Sequence, residues 1–134
     1  MNILTLSLKQ KYFDEILART KKIETREIRP NNSSRYGNYI LNEKSWGKFS
    51  EIPKEFSNDE NLQFELIKYD AIKFLTGEYK GRRPYLIIRV TEEKMFTETD
   101  SDENPIIYTF RGDEYALTTV DYHLGEILEI ELYK

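Results

Sequence analysis

Ile3-Leu4-Thr5-Leu6-Ser7-Leu8-Lys9-Gln10-Lys11-Tyr12-Phe13-Asp14-Glu15-Ile16-Leu17-Ala18 changes its hydrophobic period part-way along. Up to Leu8 it alternates, with Leu4, Leu6 and Leu8 on one side and Ile3, Thr5 and Ser7 on the other. That is the pattern of a strand with one buried face. Beyond it Tyr12, Phe13, Ile16 and Leu17 fall on one stripe of a helix that reaches about Ala18 and packs the stripe on a sheet. Ser7 and Gln10 have capping-box spacing: the hydroxyl can accept a helix N–H while the amide reaches back. Arg19-Thr20-Lys21 is a short turn into a second strand, Lys22 to Ile28, which Pro30 and Asn31-Asn32-Ser33-Ser34 terminate.

From about Arg35 to Leu62 the pattern weakens. Tyr36, Tyr39, Trp46 and Phe49 alternate with Asn, Ser, Gly and charged residues, an insertion with a short strand near Tyr39–Leu41 and a helical turn. Order returns at Tyr69–Leu75, where Ile72 and Phe74 share a face, and at Pro84–Thr91, where Tyr85-Leu86-Ile87-Ile88 is apolar on both faces and reads as central. Pro105–Arg111 and Glu114–Tyr122 flank Gly112-Asp113, a hairpin signal, and Glu126–Tyr133 closes the chain as a strand. Several short strands with one well-defined helix predict an α+β domain: a small, partly open mixed β-barrel with the first helix on its flank. A chain of 134 residues is the size of one domain, residues 1–134, with a variable insertion at about 35–64.

Ten Tyr, seven Phe and one Trp among 39% hydrophobic residues exclude disorder throughout. Zero cysteines exclude a disulfide scaffold, a thiolate zinc site and a Cys nucleophile, and the single His123 leaves no His-rich metal site. No metal or other cofactor is expected. No apolar run is long enough to span a bilayer, and Met1-Asn2-Ile3-Leu4-Thr5 opens without a basic region followed by a signal-length apolar stretch. The expectation is a cytoplasmic protein with no membrane partner. Net charge is −4, which argues against indiscriminate nucleic-acid binding, but it is unevenly spread. Of the 20 basic and 24 acidic residues, eight and four lie in 1–36, leaving +4 there and −8 in 37–134.

The densest polar cluster is Lys21, Glu24 and Arg26. Two apart on a strand, Glu24 and Arg26 point to one side, where a carboxylate and a guanidinium can hold opposite edges of a ligand, or each other. As a plain surface ion pair the group is worth at most ~1 kcal/mol. Lys80, Arg82 and Arg83 form a second basic cluster bounded by Gly77, Gly81 and Pro84. Arginine can fork onto phosphate there, while Tyr79 and Tyr85 stack on bases, as single-stranded nucleic acid requires. The competing reading is a solvated hairpin tip. Trp46 reads as an anchor for the insertion and His123 as a histidine at a strand end. Asp100-Ser101-Asp102-Glu103-Asn104 opens like a calcium loop, but Pro105 and Arg111 stand where Gly and the bidentate Glu belong, so it is an acidic surface loop.

Ile16-Leu17-Ala18-Arg19-Thr20-Lys21-Lys22-Ile23-Glu24-Thr25-Arg26 resembles the signature of the ASCH domain family, Gly-x-Lys-x-x-Glu-x-Arg at the end of the first helix. The likeness extends to Leu6-Ser7-Leu8-Lys9, to Tyr69-Asp70-Ala71-Ile72-Lys73-Phe74 and to Tyr122-His123-Leu124-Gly125-Glu126-Ile127-Leu128-Glu129, omitting about 35–64 and 94–104. It implies a PUA-like barrel whose cleft beside the first helix receives the signature Lys, Glu and Arg, and a role in RNA binding or RNA metabolism. On that reading the ligand is RNA or a modified nucleotide or nucleoside. Lys21 and Arg26 meet phosphate or base acceptors, Glu24 accepts from an amine or 2′-hydroxyl, and Arg82 and Arg83 extend the track. A second reading is a hydrolase acting on acetylcytidine or RNA through Lys21 and Glu24, although Glu24 stands where the similar hydrolases have Thr. A third is a protein-interaction or phage-type regulatory module using the acidic surface of residues 92–104. Arg19 replaces the signature Gly, so it must adopt a left-handed conformation at a cost or end the helix differently.

Overall fold

The computed structural model describes residues 1–77 and 81–133. Tyr79 and Lys80 of the second basic cluster lie outside the described residues. In chain order the elements are β1 (Ile3–Ser7), α1 (Gln10–Leu17), β2 (Ile23–Ile28), β3 (Gly37–Leu41), β4 (Lys44–Trp46), β5 (Gln63–Leu66), β6 (Ala71–Leu75), β7 (Tyr85–Thr97), β8 (Ile107–Phe110), β9 (Asp113–Ala116) and β10 (Thr118–Glu131), with single 3₁₀ turns at Ser33–Arg35 and Phe49–Glu51. By contacts the chain divides into two compact units, one of Met1–Glu24, Lys68–Glu93 and Asp121–Lys134, the other of Thr25–Ile67 and Lys94–Val120.

In the first unit β1 pairs parallel with β6, and β6 antiparallel with β7. The registers place Leu4 beside Ile72 and Ile72 beside Ile88, then Leu6 beside Phe74 and Phe74 beside Leu86. All six side chains are buried, as are Phe13 and Ile16 of α1. The alternation seen at Leu4 and Leu6 is therefore the burial pattern of β1, while Tyr12 on the edge of the helical stripe is exposed. β7 holds the middle of a five-stranded sheet of order β1-β6-β7-β10-β2, as the doubly apolar Tyr85–Ile88 run requires. In the second unit β3 pairs with β4 and β5, and β8 with β9.

The expected PUA-like β-barrel is not formed. Closing the five-stranded sheet would require its edges, β1 and β2, to pair with each other, and the order ends at both. The chain between β2 and β6 instead forms a three-stranded sheet, β4-β3-β5, and β8-β9 a two-stranded one, so the described sheets are open in a mixed α+β arrangement. No described helix is long and apolar enough to cross a membrane, α1 having eight residues.

Two local expectations also change. Ser7 does not cap α1: Lys9 is the N-cap residue and makes no side-chain cap. The Gln10 amide donates to Asp14 instead, and its carbonyl accepts from the Thr76 hydroxyl. The hairpin turn is Arg111-Gly112, one residue earlier than expected, with φ of 50° and 85° and Phe110 opposite Asp113. Positive φ at both central residues is the type I′ geometry, whose twist suits a two-residue hairpin.

Arg19 takes the left-handed course, with φ 67°. Its N–H donates to the Ile16 carbonyl at 3.0 Å and the Thr20 N–H to the Glu15 carbonyl at 3.0 Å, the paired bonds of a Schellman ending. A side chain in this conformation costs roughly 1–2 kcal/mol, part of which glycine gives back as unfolded-chain entropy. Arg19→Gly should thus stabilise the protein by about 0.5–1 kcal/mol and raise its melting midpoint by roughly 2–5 °C. A lowered midpoint on thermal unfolding would show that the Arg19 side chain contributes more than its backbone costs.

Candidate functional site

Lys21 leaves the Schellman turn with its own N–H bonded to the Glu15 carbonyl at 3.1 Å. Its Nζ lies 3.4 Å from Glu24 Oε1 and 5.7 Å from the centre of the Tyr12 ring. Glu24 is 4% exposed, whereas the Lys21 side chain keeps 26%. A carboxylate taken out of water loses several kcal/mol of hydration, roughly, unless it is paired, so the ammonium has a structural duty as well as an accessible face. The structure brings together Lys21 and Glu24 of the expected trio. Glu24, Arg26 and Ile28 share one side of β2, buried, half-buried and buried in turn. Arg26 belongs to the second compact unit.

Around Arg82 and Arg83 the first unit carries a run of cations and rings. Lys73 Nζ lies 4.3 Å from the Tyr85 ring centre, Tyr85 meets the Tyr133 ring edge-on at 6.4 Å, and the Arg82 guanidinium lies 5.5 Å from Tyr133. The register explains the first contact. Leu75 is opposite Tyr85 and Lys73 opposite Ile87, so Lys73 and Tyr85 are diagonal neighbours on the face turned away from Ile72 and Phe74. Arg83 Nη2 donates to the Ser7 hydroxyl at 3.2 Å. Ser7 precedes α1 and Lys21 follows it, so Arg83 and Lys21 are tied to opposite ends of a helix about 12 Å long. Sequence reasoning missed Lys73 and Tyr133. The strand alternation that turns Lys73 away from Ile72 and Phe74 is readable, but Tyr133 joins through a fold-dependent contact.

The second unit holds an arrangement that sequence reasoning did not assemble. Phe64 and Tyr39 are 4.8 Å apart, Tyr39 and Phe49 5.7 Å, Phe49 and Tyr115 5.8 Å edge-on, and Tyr115 stacks on Tyr108 at 5.8 Å. These rings line a pocket of about 300 Å³ together with Met95. Phe49 and Tyr115 also line a groove of about 950 Å³ that carries Lys48, Lys54 and Arg111. Arg29 caps the set, its guanidinium 4.5 Å from the Tyr108 ring centre while it pairs with Glu27 at 2.6 Å. Burial pushes the Tyr39 and Tyr108 phenols above the ordinary range, so both remain neutral donors. Trp46 lies against Phe56, another residue of the insertion, with ring centres 6.2 Å apart, and Asp100 accepts from the Asp102 and Asn104 N–H groups in an exposed turn. Among the described residues no group of acidic and His side chains is placed to hold a metal ion.

Tyr85 donates to Glu129 Oε2 at 2.5 Å, and this bond to a carboxylate pushes its phenol up to about 12. The neutral phenol is the favoured form, so the contribution is full below the ordinary tyrosine value of 10 and disappears as pH rises through about 12. Ring-labelled NMR titration should show Tyr85 ionising at about pH 12, and Glu129→Gln should move its midpoint down toward the ordinary value of 10. A midpoint at the ordinary value in the unaltered protein would mean that the bond does not hold in solution. No family model, curated protein or solved structure matches the chain, so the likeness to the ASCH family rests on the quoted residues alone.

Proposed function

We propose that the chain binds single-stranded RNA of several nucleotides through the first unit. The observation that carries this reading is the run Lys73, Tyr85, Tyr133 and Arg82, in which an ammonium and a guanidinium flank two rings that meet edge-on. Bases of any identity stack on such rings while the neighbouring cations take phosphates. Arg83 adds a donor at one end of α1 and Lys21 a cation at the other. Glu24, at 4% exposed, acts through Lys21 by holding its ammonium rather than by touching ligand. An ammonium fixed by a carboxylate is a positioned charge, which favours binding over nucleophilic attack.

Fluorescence anisotropy with labelled RNA of several nucleotides tests the reading. Replacing both Arg82 and Arg83 by Ser should weaken binding about tenfold or more, as should Tyr133→Ala, given that stacking is worth about 1–3 kcal/mol per base. Affinity should also fall with salt, with a slope near −0.7 for each phosphate neutralised. An unaltered protein that binds no RNA, or variants that bind as tightly as it does, would sink the proposal. Release of product from acetylcytidine or RNA, abolished by Lys21→Ala, would replace it by a hydrolase.

A further inference from the structure

The second unit has features that the reading above does not use. Phe64, Tyr39, Phe49, Tyr115 and Tyr108 make an unbroken series of ring contacts, yet all five are half-buried rather than buried. The unit's buried side chains are others, Ile28, Tyr36, Leu41 and Ile52 among them, of which Ile28 forms part of the pocket wall and Ile52 part of the groove. Half-buried rings that wall an open pocket present a flat, polarisable surface to whatever enters.

We propose that this pocket and the groove beside it form a separate nucleotide site, with the base among Tyr39, Phe49, Tyr108 and Tyr115 and the phosphate at Lys48, Lys54 and Arg111. The two spaces adjoin at Pro30, Phe49 and Tyr115, which line both, and the proposed ligand spans that boundary. At about 300 Å³ the pocket is at the small end of ligand sites and suits one planar ring system. The groove, three times larger, is lined by three cations against two carboxylates, Asp113 and Glu114. Lys48, Lys54 and Arg111 are exposed and keep their charges available to an anion.

Charge decides the class of occupant. An aromatic cage for a quaternary ammonium leaves its ring faces to the incoming cation. Here the Arg29 guanidinium already lies over Tyr108, and three further cations line the approach. A cationic guest meets like charge at each step, whereas a planar group joined to a phosphate meets rings and then donors. Asp113 and Glu114 accept from ribose hydroxyls or an exocyclic amine, which a plain aryl phosphate would not satisfy. The neutral Tyr39 and Tyr108 phenols add no negative charge to repel the phosphate.

Calorimetric titration of the full chain with adenosine and cytidine 5′-monophosphates provides the test. Saturable binding should appear and should weaken at least tenfold in the Lys48→Glu, Lys54→Glu double variant, whose altered positions are exposed and leave the core intact. Adenosine alone and inorganic phosphate should each compete less well than the nucleotide. Tyr108→Ala should weaken binding and Tyr108→Phe retain it, with circular dichroism confirming that both fold. The double Ser variant at Arg82 and Arg83 should bind mononucleotide unchanged, which keeps this site distinguishable from the RNA track of the first unit. Absence of mononucleotide binding, indifference to the Glu variants, or phosphate competing as well as nucleotide would each overturn the site. So would loss in the Arg82 and Arg83 variant alone, an outcome that leaves the RNA reading standing.

Discussion

Two rows of side chains across three strands, Leu4 with Ile72 and Ile88, and Leu6 with Phe74 and Leu86, set the register on which the first unit depends. Because side chains alternate along a strand, a slip of one residue at β1 or β7 would turn that strand's inward pair, Leu4 and Leu6 or Leu86 and Ile88, from the core to solvent. Full burial of each such residue is worth roughly 1.5–3 kcal/mol, so a slip is heavily disfavoured. The opposite faces of the same strands are fixed by this choice. Lys73 stands beside Tyr85 because Ile72 and Phe74 point inward, and Tyr85 presents its ring because Leu86 and Ile88 are buried. The surface proposed for RNA is the reverse side of the core.

The second unit follows a different logic. Its strands are short, three to five residues in β3, β4 and β5 and four in each of β8 and β9. So little ladder buries little surface, and the rings bridge what the strands leave open. Gly37 allows one such close approach: a Cβ there would lie 2.7 Å from the Phe64 ring and 2.3 Å from the Glu65 carbonyl oxygen. The result is a unit whose aromatic side chains are shared between holding strands together and walling a pocket.

What could be read in the sequence follows from how local each signal is. The β1-to-α1 change of period, the inward pair Ile72 and Phe74, the central character of Tyr85–Ile88 and the Lys21–Glu24 proximity all depend on neighbours in the chain, and the structure shows each. Arg19 posed a local alternative whose outcome depended on the Glu15 and Ile16 carbonyls, and the Schellman bonds resolved it. The barrel was not a local matter. It required β1 and β2 to meet, and no feature of Ile3–Ser7 or Ile23–Ile28 encodes a partner. The weak patterning of residues 35–62 was read as an insertion because three-residue strands carry too few alternations to count. Tyr39, Phe49 and Tyr115 could not be grouped for the same reason: more than 60 residues separate the last two, and only the fold makes them neighbours.

Net charge constrains how any of these surfaces can work. A chain at −4 has no long-range field to draw in a polyanion, and in physiological salt interactions fade beyond about 8 Å. Whatever affinity for phosphate exists must arise at contact, from cations whose own neighbours leave them accessible. Three of the basic groups have a second duty: Lys21 holds Glu24, Arg29 pairs with Glu27, and Arg83 bonds Ser7. Arg82 and Lys73 instead lie against rings, which take up none of their hydrogen-bond donors as a carboxylate would. A ring also offers its remaining surface to a base, so cation and stacking platform come as one unit. Recognition built this way is short-ranged and carried more by stacking than by steering, which is how an acidic chain can take up a nucleotide without collecting nucleic acid indiscriminately.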